Sequence, residues 1–238
     1  MKIIFSPAKD MDFSKKVYSE DLFISEKTKG ILKEISLLSK ENLKKSLKLS
    51  DNLLDDVYDY YENFYEKPFF RAIDLYNGLS FRQLDKNFTE DEEKYIKDYL
   101  IILSSLYGMI NGLKYISPYR LDMNAKIKVD NLNLKKYWIE EYNNINKNEK
   151  IFNLASDEFS SLINRENYEF IDFEFYKIKN NELKTHSTTS KKGRGILLNS
   201  LIKNKIENLD ELLKIEIENL IYREDLSSKN KIVYILNN

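Results

Sequence analysis

Buried-strand and amphipathic-helix patterns are interleaved along this chain of 238 residues. Ile3-Ile4-Phe5 is a short apolar run stopped by Ser6-Pro7, the pattern of a buried strand. Ile31, Leu32, Ile35 and Leu38 recur at helical spacing. So do Leu53, Leu54, Val57, Tyr58, Tyr61, Phe64 and Tyr65, with Asp51 placed to cap them. Thr89 followed by Glu92 forms a capping box, which predicts a helix running to Leu103. Ile139 and Tyr142 mark a weaker helix, and Leu197, Leu198, Leu201 and Ile202 another. Ile171, Phe173 and Phe175 alternate with Asp172 and Glu174, the period of a half-buried strand. Ile151-Phe152 and Ile232–Leu236 read as buried strands. No strict βαβ alternation emerges, so the pattern predicts an α/β fold of the mixed α+β kind, a mixed sheet flanked by helices. Only three Pro and six Gly are present and no linker-like stretch interrupts the pattern, so residues 1–238 read as one compact domain.

Composition narrows the chemistry. No apolar run approaches a membrane span, and the apolar stretch in MKIIFSPAKD is too short for a secretory signal. Cysteine is absent, which removes disulfides, thiolate nucleophiles and cysteine-ligated metals, and fits a cytoplasmic location. The single histidine, His186, lies in a Ser/Thr-rich segment and reads as incidental. No metal or cofactor is expected, and carboxylates, Lys and Arg are left to do the work.

The net charge of -1 conceals segregation. Asp51–Glu66 holds six acids and no Lys or Arg, the signature of a solvated helix face. Lys184–Lys205 holds six basic residues and no acid, and Lys114–Lys128 four against Asp122 alone. Lys191-Lys192-Gly193-Arg194-Gly195 precedes a helix expected to start near Ile196. Glycines there would let backbone approach an anion at the helix entry, with a Gly-rich helix start and ordinary surface lysines as the alternative.

Other polar clusters sit at predicted element ends. Ser6-Pro7-Ala8-Lys9 follows the first strand, where α/β sheets place ligands, and Asn153-Leu154-Ala155-Ser156-Asp157-Glu158 follows another. Asn or Ser capping a short helix is the alternative there. Glu158 is the candidate for acid–base work, with Lys9 as nucleophile or charge clamp. In Pro118-Tyr119-Arg120-Leu121-Asp122-Met123, Arg120 can fork onto a phosphate, or else pair with an acid. Leu103–Gly112 reads as a helix ending at Gly108 and a tight connection, either a helix-hairpin-helix-like element or an ordinary C-cap and turn.

In this order the five motifs (Ser-Pro-Ala-Lys at 6–9, Leu-x-x-Leu-Tyr-Gly at 103–108, Pro-Tyr-Arg-Leu-Asp-Met at 118–123, Asn-Leu-Ala-Ser-x-Glu at 153–158, Lys-Lys-Gly-Arg-Gly at 191–195) resemble the peroxide-stress YaaA family, essentially over the full length. The resemblance implies a cytoplasmic bacterial protein linked to hydrogen peroxide tolerance and to limiting free intracellular iron. It also implies a basic cleft and a helix-hairpin-helix-like element, with no established enzymatic reaction. On the matching positions, DNA would be held by Lys9, Leu106, Tyr107, Gly108, Gly112, Tyr119, Arg120, Lys191, Lys192 and Arg194. Ser6, Asn153, Ser156 and Glu158 would line the cleft. Gly193 departs from the family, which more often has Ala there.

Two functional expectations follow. One is a monomer binding double-stranded or branched DNA through its backbone with little sequence preference. The other is an enzyme acting on a nucleotide or damaged nucleic acid through Lys9, Asn153, Ser156 and Glu158. Direct iron storage is disfavoured, because the acidic run lacks a Glu-x-x-His pair.

Overall fold

The computed structural model describes residues 1–17 and 23–237. Strand β1 (Lys2–Phe5) precedes helices α1 (Glu26–Ser36), α2 (Lys40–Leu47) and α3 (Asp51–Glu62). Strand β2 (Phe70–Arg71) and the single-turn helix α4 (Ala72–Leu75) lead through a 3-10 turn at Phe81–Gln83 to α5 (Glu90–Tyr99). Next come β3 (Leu100–Ser104), β4 (Gly108–Asn111), β5 (Tyr115–Ile116), β6 (Lys128–Val129), β7 (Leu132–Asn133) and α6 (Leu134–Tyr142). The last third holds β8 (Lys150–Leu154), α7 (Asp157–Ser160), β9 (Glu169–Lys179), β10 (Glu182–Lys184), α8 (Ser187–Asn204), α9 (Leu209–Leu212), β11 (Leu220–Tyr222) and β12 (Lys231–Leu236).

The main sheet runs β11-β12-β9-β8-β1-β3-β4, with β10 folded back on the end of β9. Strands β12, β9, β8, β1 and β3 are parallel, while β11 and β4 close the edges antiparallel. The fold is therefore α/β with a mixed sheet, as the periodicities predict. Central parallel strands are covered on both faces, which is why β1 is a plain apolar run with Ile3, Ile4 and Phe5 all buried. Strand β9 keeps its alternation: Phe173 and Phe175 are buried, while Asp172 and Glu174 stay partly exposed.

Strand order sets the function-bearing geometry. The chain leaves β1 for β3 on one side, then returns as β8 on the other and continues outward through β9 and β12. Sheet growth reverses between β1 and β8, a topological switch point at which open α/β sheets leave a crevice beyond the strand ends.

Three expectations give way here. The Thr89 capping box forms, but α5 stops at Tyr99 and the apolar, isoleucine-rich run Leu100–Ser104 becomes a strand beside β1. The segment expected as a helix-hairpin-helix is thus a β-hairpin: β3 turns through Ser105–Tyr107 into β4, with Gly108 at φ +74°. Helix α8 begins at Ser187, not Ile196, so the Lys-Lys-Gly-Arg-Gly motif lies inside a helix and offers no free helix-entry amides. Helix α2, capped by Ser39, went unmarked by the spacing, and Ser50 rather than Asp51 precedes α3. The acidic stretch is a largely solvated face, as expected, with Asp55 paired to Lys40 and Asp51 to Lys44. Among the described residues no helix is long and apolar enough to cross a membrane.

The two glycines of α8 serve packing. A Cβ at Gly193 would lie 2.2 Å from the Phe175 ring, and one at Gly195 would lie 2.1 Å from the Ser80 carbonyl oxygen. Helix α8 is thereby seated against β9 on one side and the 78–82 loop on the other. Replacing Gly195 by Ala adds about 1 kcal/mol of helix propensity but drives a methyl into backbone, an overpacking cost of about 1–3 kcal/mol. Gly195→Ala is expected to lower the urea midpoint of unfolding; an unchanged or raised midpoint would show that the loop yields freely.

Candidate functional site

A cleft of about 460 Å³ opens at the switch point, within the span of roughly 300–1,000 Å³ usual for small-molecule sites. Its floor is made where β1 and β8 end. The Ser156 amide donates to Ser6 Oγ at 2.8 Å, and the two hydroxyls lie 3.1 Å apart. Ser156 directly precedes α7, yet its hydroxyl makes no capping bond there and turns to Ser6 instead.

Glu158, on α7, takes the Met123 amide at 3.1 Å and the Asn124 side-chain amide at 3.4 Å on Oε1. This ties α7 to the Pro118–Met123 segment. Lys9 donates to Asp122 Oδ2 at 2.7 Å. Lysine and glutamate therefore share the cleft, but each is engaged with a different partner.

Tyr119 is only 3% exposed and forms a wall, not a free stacking surface. Its hydroxyl lies 2.8 Å from both the Tyr76 hydroxyl and Ser104 Oγ, and Ser104 Oγ accepts the Leu106 and Tyr107 amides. Burial pushes the Tyr119 hydroxyl up to about 12, and that of Tyr76 up as well. Both stay protonated and act as hydrogen-bonding struts beneath the cleft. The Arg120 carbonyl accepts the Tyr61 hydroxyl at 2.8 Å, which leaves its guanidinium to line the opening.

Helix α8 supplies the opposite wall through Thr188, Lys191 and Arg194, three residues apart and so on one face. Arg194 also lines a second cavity, shared with Asn153, Asp172 and Phe175. Its Nε is buried without a hydrogen-bond partner, and it makes no ion pair among the described residues. Desolvation draws its pKa downward, against the opposing fields of Asp157 and Asp172. A guanidinium nonetheless stays charged.

Of the residues expected to hold DNA, Lys9, Tyr119, Arg120, Lys191 and Arg194 meet in this cleft, together with Ser6, Ser156 and Glu158. The others do not. Leu106 and Tyr107 are fully buried, Gly108 opens β4 and Gly112 follows it, both buried, so none presents a surface to a duplex. Lys192, one step round the helix, lines a separate groove with Lys203. Asn153 is not on the cleft floor. Alternation along β8 turns it to the other face, where Nδ2 donates to Asp172 Oδ1 at 2.7 Å and Oδ1 accepts the Ala155 amide. Asp172 accepts there from both terminal guanidinium nitrogens of Arg165.

The sequence reading missed Asp10, Gly78–Arg82 and Thr188, all of which line the cleft. The Asn77-Gly78 dipeptide was the available signal for a loop. Arg82 reaches back to Asp10 at 3.1 Å and donates to the Asn77 carbonyl at 2.8 Å. The lining thus carries five cationic side chains against three carboxylates. His186 is exposed and makes no capping bond at the start of α8. Among the described residues no three His, Cys, Asp or Glu side chains are grouped to hold a metal ion.

Fold and site together define a mixed α/β protein with a polar, cation-containing crevice at the switch point of its sheet. The family model described as "Peroxide stress protein YaaA" matches residues 1–226. The chain belongs to this family. It is 34% identical to the UPF0246 protein FN1762 of Fusobacterium nucleatum, with both chains covered completely. It is 38% identical to a UPF0246 protein of Streptococcus sanguinis and 35% identical to one of Streptococcus pneumoniae CGSP14, with 69% and 70% of each chain covered respectively.

Tyr119→Phe removes the hydroxyl that links Tyr76 to Ser104 and strands buried polar groups, at a cost of about 1–3 kcal/mol. Chemical denaturation is expected to register that loss with the far-UV circular dichroism spectrum unchanged. Wild-type stability in the variant would show that the hydroxyl chain contributes nothing.

Proposed function

We propose that this member of the peroxide-stress family acts as a cytoplasmic, monomeric DNA-binding protein that holds the phosphate backbone across the cleft. It favours double-stranded or branched DNA by shape over sequence, and its effect on free iron is indirect. The observation that carries this reading is the convergence of Lys9, Arg120, Lys191 and Arg194, from opposite ends of the chain, on one opening. Lys9 and Lys191 are exposed at its rim, and neither Arg120 nor Lys191 is neutralised by an ion pair among the described residues. Exposed cations of this kind neutralise phosphates and release counterions, which gives affinity without base readout. Among the described residues no exposed helix is rich in Arg, Asn and Gln as a major-groove reader would be. The rival enzymatic reading loses support because Lys9 is paired with Asp122 and Asn153 faces away from the cleft.

With four cations engaged, affinity for a DNA duplex is expected to fall roughly 100-fold as salt rises from about 50 to about 200 mM. An affinity that stays flat over this range would defeat the reading. Exchanging Lys191 and Arg194 together for Glu is expected to abolish binding with the circular dichroism spectrum retained. Should burial at Arg194 unfold that variant, Lys9→Glu with Arg120→Glu serves instead. Wild-type affinity in a folded variant overturns the cleft assignment.

A further inference from the structure

The rim cations and the inner one answer to different chemistry. Lys9 and Arg82 are more than half exposed, and each already has a carboxylate partner. Arg194 is mostly buried, its Nε lacks an acceptor, and its guanidinium lines the cleft from the α8 wall. A desolvated guanidinium without an ion pair costs stability, so an anion arriving there recovers interaction energy that the empty cleft forgoes.

A duplex lying across the opening is far wider than the cavity, so its backbone meets the mouth of the cleft and no base pair enters. The volume matches a single protruding group of nucleotide size. The donors near Arg194 suit a phosphate: Lys191 one turn back on the same helix face, Thr188 another turn back, and the Ser6 and Ser156 hydroxyls at the joined strand ends. Phe5, Phe81 and Phe159 supply apolar lining for the rest of such a ligand. The site also sits where sheet growth reverses, the position at which open α/β sheets bind nucleotides.

We infer that the cleft is a phosphomonoester subsite, in which Arg194, Lys191 and Thr188 grip the terminal phosphate of one nucleotide. This deepens the DNA-binding reading and rests on the same cleft. The nucleotide comes either from the phosphorylated end of a DNA strand or from free solution, and the shared chemistry is the dianionic phosphate.

The test compares one short DNA duplex bearing a 5′-phosphate, a 3′-phosphate or only hydroxyl ends, and in parallel dAMP, deoxyadenosine and inorganic phosphate, by equilibrium titration. A phosphorylated end is expected to bind about tenfold or more tightly than a hydroxyl end, and dAMP more tightly than deoxyadenosine. Arg194→Met, which keeps the apolar stem, is expected to erase both differences; because it also removes one of the four cleft cations, hydroxyl-ended duplex is expected to bind more weakly and with a shallower salt dependence. Lys191→Met, at an exposed position, is expected to shrink both and covers the case in which the Arg194 variant fails to fold. End preference without dAMP binding identifies the strand end as the source; dAMP binding without end preference identifies the free nucleotide. Equal binding of phosphorylated and hydroxyl forms in both series overturns the inference, as does a preference that survives in the folded variants. If dAMP binds through Arg194 but no duplex binds at any salt, the subsite stands and the DNA reading falls.

Discussion

The hydrogen bond from the Ser156 amide to Ser6 Oγ joins the ends of β1 and β8, the neighbouring strands between which the sheet changes its direction of growth. Everything that lines the cleft is arranged around that junction. Lys9 follows from the β1 exit and Glu158 from the β8 exit, and Glu158 in turn holds the Met123 amide and so the segment carrying Tyr119 and Arg120. Without the reversal in strand order, the two exits would be filled by crossing chain. Because of it they stand open.

Beneath the opening, the support is polar and buried. Tyr76, Tyr119 and Ser104 pass hydrogen bonds between the loop after α4, the Pro118 segment and the β3–β4 turn. Trp138 and Tyr142 donate from α6 to the Ser105 and Ser104 carbonyls. Fully satisfied networks of this kind rigidify what they connect, since any shift strands a buried donor or acceptor. The β-hairpin that replaces the expected helical motif thus works from inside, as the base on which the cleft wall rests.

The fold was legible where burial is one-sided or complete: β1, β8, β9 and β12 are apolar runs or alternations, and α5 announces itself by its capping box. It was least legible where one apolar run could continue a helix or begin a strand. Leu100–Ser104 carries no break after α5, and only its pairing with β1 decides the matter. The glycines of 191–195 misled for a different reason. Their sequence is that of a loop, but their use is close packing against Phe175 and Ser80, partners over ten residues or a hundred away that no local pattern reveals. The convergence of Lys9, Arg120, Lys191 and Arg194 was an expectation carried by the family resemblance, since no local pattern in the sequence brings them together. That Lys192 and Asn153 turn away follows from helix and strand periodicity once the true element bounds are known.

Gly193 and Gly195 flank Arg194, and each brings the helix axis closer to a neighbour than any side chain would permit. The position of the inner guanidinium is accordingly dictated by the sheet and the 78–82 loop, whereas Lys191 is exposed at the mouth of the cleft. Surface charge at the mouth can therefore drift between relatives with little effect on the interior. On the proposed reading, attraction for a polyanion and discrimination of what enters evolve on separate axes, one tuned by exposed lysines and the other held by two missing methyl groups.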